Sequence, residues 1–148
     1  WSYSIGKEDF SSEIVLNFFQ RFENILNSSN YVVKRDTLKL LAELFTETAY
    51  KPVMLRFIQE KKNLKLIMVL LKDKREYIQY EAFHIFKIFV AYPNKPPDVL
   101  RVLLRNKEKL IDFMQQFQIE REEEHFAKER EFVIDCLEKL EGVEEEKS

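Results

Sequence analysis

Two patterns in this chain combine side chains suited to gripping another protein. Tyr31, Arg35 and Lys39 recur at i, i+4 and i+8, which stacks them along one side of a helix. Alternating charges on a helix are usually ordinary solvation. An aromatic beside two cations, however, is a common composition for a protein-binding surface, and arginine can pair bidentately with a partner's carboxylate. Met68 and Lys72 stand one turn apart, on a helix expected to neighbour one bearing Arg105 and Lys109, also one turn apart. A flexible thioether among cations suits an apolar anchor flanked by acids or a terminal carboxylate, although Met68 alone is equally a core residue.

Traces of catalysis are missing. There is no GxGxxG, no P-loop, no GxSxG and no HExxH. His84 lies within an apolar helical run and reads as a core or groove-edge residue, since no second His or Cys sits at ligand spacing. His125 belongs to an acidic stretch. The run EREEE at 120–124 reads as a solvated helix end, and an EF-hand loop is excluded by the lack of alternating Asp/Asn ligands around a glycine. Asp112 and Glu108 are at helical spacing, but Arg105 and Lys109 are close, which favours surface pairing over acid–base work. No cofactor and no metal is expected.

The elements that must carry these residues are helical. Among 148 residues, two glycines and four prolines leave little turn chemistry for a many-stranded sheet. Apolar residues at 45% and charged residues at 34% fit a soluble globular domain, and thirteen phenylalanines imply a Phe-rich core. The lone Cys136 excludes an intramolecular disulfide and fits a reducing compartment. No apolar run approaches the roughly 18 residues that span a bilayer, so no membrane insertion is expected. The start at Trp1 suggests a fragment of a longer cytoplasmic protein. From residue 120 onward twelve acids face five bases, a net of −7 that leaves +5 on residues 1–119 out of the total of −2. A basic body could attract nucleic acid, but no Lys/Arg run or aromatic–basic module supports that partner.

An irregular lead-in is expected over 1–9, followed by helices at about 10–27, 31–47, 52–60, 63–71, 76–91, 98–104, 107–117 and 121–140, with 141–148 as a flexible acidic tail. In the first, Ile14, Phe18, Phe22 and Ile25 form the stripe, widened by Leu16, Phe19 and Leu26. Val33, Leu40, Leu41, Leu44 and Phe45 mark the apolar side of the second, and Asn63 is expected to cap the fourth. Residues 25–45 echo residues 70–90 at an offset of 45, so that Leu26 falls on Leu71, Val33 on Ile78, Leu38 on Phe83, Leu41 on Phe86 and Phe45 on Val90. Helical patterning at that period is what armadillo and HEAT arrays show. Their units stack because one unit cannot bury its apolar face alone. The expected fold is therefore all-α, an armadillo/HEAT-like helical repeat solenoid over 10–140.

The segments NYVVKRDTLKLLAEL, NLKLIMVLLKDKREYIQYEAFHIFKIFVAYPNK and LIDFMQQFQ closely resemble the C-terminal part of the mouse protein 25 scaffold family, also called calcium-binding protein 39. The resemblance covers about residues 20–140. It implies an armadillo-like, non-catalytic scaffold that binds a sterile-20-related pseudokinase, stabilises an active liver kinase B complex with it, and activates sterile-20-like kinases directly. It further implies that Tyr31, Arg35 and Lys39 contact the kinase on a concave face. A tail pocket for a Trp-Glu-Phe terminus would include Met68, Lys72, Arg105 and Lys109. The family's exposed Phe in the next loop aligns with Lys51, with Tyr50 one position earlier as a substitute. The alternative is a general peptide-binding armadillo-type module.

Overall fold

Asparagine and serine at 27–30 interrupt the first apolar stripe, and the backbone turns there. The computed structural model describes residues 13–142. Among them run eight α-helices and one 3-10 turn, with no strand: α1 (Glu13–Leu26), α2 (Tyr31–Leu44), the 3-10 turn Thr48–Tyr50, α3 (Lys51–Ile58), α4 (Lys61–Leu70), α5 (Glu76–Ala91), α6 (Pro97–Arg105), α7 (Lys107–Gln116) and α8 (Glu124–Glu138). The expected lead-in, the first residues of the first helix and the tail beyond 142 lie outside the described residues, as do the side chains of Ile14, Leu16 and Phe18. The chain divides into two compact units, up to Phe86 and from Lys87, with the boundary inside α5.

In the first unit, Asn30 caps α2 by accepting from the Val33 amide at 3.1 Å, satisfying one of the donors that a helix start leaves open. α1 packs against α2. Phe57 of α3 is the hub of the core. Its ring meets Phe19 and Phe22 edge-on at 5.5 and 5.6 Å, and Phe45 at 5.4 Å, the offset and edge geometries that aromatic quadrupoles favour. Pro52 sits in the first turn of α3, where its missing N–H costs nothing.

Two expectations are corrected in this unit. Asn63 does not cap α4, which begins two residues earlier behind Glu60. Asn63 is instead buried, with 3% exposure, and its Nδ2 donates to the Phe57 carbonyl at 2.9 Å. That carbonyl belongs to the last turn of α3 and also accepts from the Glu60 amide at a long 3.4 Å, so the asparagine gives it a second, shorter bond. Val33 and Leu40 are not core either: they are 41% and 57% exposed, while Leu38 and Leu41 are buried. No described element covers that side of α2.

The 45-residue echo corresponds to two helix–turn–helix pairs, α1–α2 and α4–α5. Leu26, Leu38, Leu41 and Phe45 are buried, and so are their counterparts Leu71, Phe83, Phe86 and Val90. The turn before α5 is built on Asp73, whose carboxylate accepts from the Arg75 amide at 2.9 Å and whose carbonyl accepts from Gln79 Nε2 at 2.6 Å, an Asx-type turn.

The second unit begins within α5. Pro93 follows the helix after Tyr92, and Pro96 and Pro97 open α6, since proline serves as a start but not as a continuation. Asn106 separates α6 from α7 and donates to the Val102 carbonyl at 2.8 Å. α7 packs against α8 around Leu110, Met114, Phe117, Phe126, Val133 and Leu137, all buried. Arg130 of α8 donates to the carbonyls of Met114 and Gln115 at 3.4 and 3.0 Å, placing a cation on the negative end of α7. Lys107 donates to the Leu140 carbonyl at 3.0 Å, tying the start of α7 to the residues after α8.

Candidate functional site

The stripe on α2 stays together. Tyr31 opens the helix directly after the Asn30 cap, and the Arg35 guanidinium lies 5.5 Å from the centre of its ring. Arg35 also pairs with its neighbour Asp36 at 3.1 Å. Lys39 follows one turn later, exposed. The three residues lie along one side of one helix, as their spacing requires.

Two residues that single-helix spacing does not single out join them. Arg75, in the turn before α5, sets its guanidinium 4.9 Å from the Tyr31 ring centre, so the ring serves two cations. Arg75 is held in turn by Asp73, through Nε at 2.9 Å and Nη2 at 3.1 Å. That fork, together with Lys34 at 3.8 Å, holds the Asp73 carboxyl below its usual range; the Arg75 hydrogen bond is the leading cause. Glu81, on α5, is the second. Burial pushes its carboxyl up, while Lys39 and Arg35 pull it down and Glu43 pushes it further up. The surface therefore carries an aromatic, three cations and a carboxylate held away from full hydration. Tyr77, one turn before Glu81, is exposed.

Tyr50 and Lys51 occupy a different element, at the junction of the 3-10 turn and α3, and both are exposed. Met68 and Lys72 belong to the first unit: Met68 is half-buried on α4 and Lys72 is exposed in the turn that follows. Arg105 and Lys109 belong to the second unit and are exposed. They do not share a helix, contrary to the spacing argument: Arg105 ends α6 and Lys109 lies in α7, with Asn106 between. The Asn106 side chain takes up the Val102 carbonyl and ends α6 there, a local bond that periodicity cannot foresee.

His84 is half-buried, with Nδ1 2.9 Å from the Tyr80 carbonyl and its ring against Tyr80 and Phe83. That is the setting of a core-edge histidine. Among the described residues no group of three His, Cys, Asp or Glu could hold a metal ion. No described helix is long and apolar enough to cross a membrane. An aromatic ring flanked by two guanidiniums is a composition that protein-binding surfaces share.

The model of the Mo25-like family matches residues 7–141. A "Mo25-like protein" of Schizosaccharomyces pombe is 48% identical over 83% of this chain and 38% of its own length. Human "Calcium-binding protein 39-like" is 45% identical over 85% of this chain and 38% of its own. The chain thus spans well under half the length of these relatives.

Proposed function

The chain belongs to the Mo25-like family of non-catalytic scaffolds with an armadillo-like helical repeat fold, and on that premise we propose that it binds and allosterically activates sterile-20-like kinases or pseudokinase–kinase complexes. The observation that carries this reading is the Tyr31 cluster, in which the guanidiniums of Arg35 and Arg75 both lie over one aromatic ring and Lys39 extends the stripe two turns along α2. Such a surface binds the closed, active arrangement of a kinase lobe better than the open one and shifts the population without touching phosphate. A differential affinity of about 3 kcal/mol moves that balance on the order of a hundredfold. The partners are cytoplasmic protein kinases and a sterile-20-related pseudokinase with a Trp-Glu-Phe tail.

Tyr50 and Lys51 supply a further exposed contact on the kinase side. For the tail there are two separate candidate pairs: Met68 with Lys72 in the first unit, an apolar seat and a cation, and Arg105 with Lys109 in the second, two cations. The test begins with Arg35→Ala. It removes a cation from an exposed helix surface, so the helix content should stay unchanged. Activation of a purified sterile-20-like kinase should fall by about tenfold or more. Undiminished activation by the folded variant takes Arg35 out of the contact. For the tail, Met68→Ala combined with Lys72→Glu is compared with Arg105→Glu combined with Lys109→Glu by calorimetry with a Trp-Glu-Phe-ended peptide. A pair that leaves the affinity unchanged is not part of that site.

A further inference from the structure

Two depressions adjoin in the second unit, and Pro93 lines both. The first, of about 430 Å³, lies between the end of α5 and α8 and is walled by Ile88, Ala91, Tyr92 and Phe132, a volume within the roughly 300–1,000 Å³ of ligand-sized clefts. Phe132 is 48% exposed there, so a large apolar surface is presented to water on an otherwise charged helix. The second, of about 320 Å³, brings Lys95, Cys136 and Lys139 beside Val90 and Leu140.

The charges around this double groove favour one kind of occupant. Four lysines line the two depressions (Lys87, Lys128, Lys95 and Lys139) against two acids, Glu129 and Glu141. Lys87 pairs with Glu129 at 3.3 Å. Among the described residues Lys128 and Lys139 are engaged by the acids one turn behind them, Glu124 and Asp135, at 3.6 and 3.0 Å in exposed positions. Such pairs contribute little, and an incoming carboxylate can displace them. Lys95 differs. Its half-buried ammonium donates to the Tyr92 carbonyl at 2.5 Å, and among the described residues no carboxylate pairs with it. An acid brought to it supplies the counter-charge that burial makes valuable.

We infer that this groove docks an extended acidic segment of a partner protein, with one bulky apolar side chain seated against Phe132 and carboxylates on Lys95 and Lys139 at one end and Lys128 at the other. The kinase-contact reading uses other residues, so either can fail alone.

The chain carries its own reporter. Cys136 is the only cysteine, it lines the second depression, and burial holds its thiol pKa above the ordinary value. The experiment follows alkylation of the whole chain by iodoacetamide at about pH 8.5, with and without an acetylated, amidated Glu-Glu-Phe-Glu-Glu peptide. The peptide should slow labelling saturably. Phe132→Glu and Lys139→Glu, both at exposed positions where folding is checked by circular dichroism, should each raise the half-maximal peptide concentration by about tenfold. An alanine-centred control peptide should protect no better than about a tenth as well. Equal protection by that control would mean charge attraction without a seat, and the proposal fails. It fails also if labelling ignores the peptide, or if Phe132→Glu instead dissolves a dimer seen by sedimentation, which would make the groove a contact between copies.

Discussion

Tyr31 is shared by two guanidiniums that arrive from different elements. Arg35 comes from the same helix, one turn on, and its approach is written in the i, i+4 spacing. Arg75 comes from a turn more than forty residues away, positioned by the Asp73 fork. The first neighbour is therefore legible in the sequence, and the second is not, because nothing in a one-dimensional pattern says which turn faces which helix. Glu81 was equally hidden. Its carboxyl is held above its unfolded value of about 4.3 because burial outweighs the attraction of Lys39 and Arg35, and Glu43 pushes the same way. Between the unfolded and the raised folded pKa the native state binds more protons. Stability therefore falls as pH rises through that window, and the penalty is complete above it. Glu81→Gln should raise the thermal midpoint at pH 7, by a degree or so, with the advantage fading as pH is lowered to about 4. A variant less stable than the parent at pH 7 would show that Lys39 and Arg35 outweigh burial.

At the scale of elements, helix bounds are legible where local chemistry enforces them and blurred where packing does. α5 runs over the expected residues because an Asx-type turn precedes it and Pro93 follows closely. The 45-residue echo survives as two helix–turn–helix pairs because apolar positions, rather than identities, set which side is buried. Val33 and Leu40 break the pattern: periodicity gives the width of an apolar stripe, but only a neighbouring element makes it core. Asn63 is the instructive case, since an asparagine near a helix start has two readings with opposite hydrogen-bond roles. A cap accepts, so aspartate would serve as well; Asn63 donates to the Phe57 carbonyl in a buried setting. Asn63→Asp should therefore cost about 3 kcal/mol or more, because it replaces the Nδ2–H donor with a buried carboxylate set against the Phe57 carbonyl oxygen. Asn30→Asp, at a true cap, should change stability by only a few tenths of a kcal/mol. Urea denaturation of the two variants side by side decides it, and equal tolerance would return Asn63 to the capping role.

For the molecule as a whole, the relevant property of a repeat fold is that stability is a sum of unit terms and nearest-neighbour terms rather than one global core. The two compact units each close their own core, Phe57 with Phe19, Phe22 and Phe45 in one, and Phe117 with Phe126 under α7 and α8 in the other. Composition and periodicity make the helical class legible, but not this division, because the boundary falls inside the uninterrupted helix α5 and leaves no linker signature. Phe57→Ala puts the question sharply. The ring is fully buried among three others, so its removal should cost about 3–5 kcal/mol. Native-state hydrogen exchange should show that loss in the amides of α2, α3 and α4. Those of α7 and α8, whose packing is made within the second unit, should keep most of their protection. An equal fall in protection across α7 and α8 would mean that the chain opens as one cooperative body, and that a partner gripping the Tyr31 surface would stiffen both units at once.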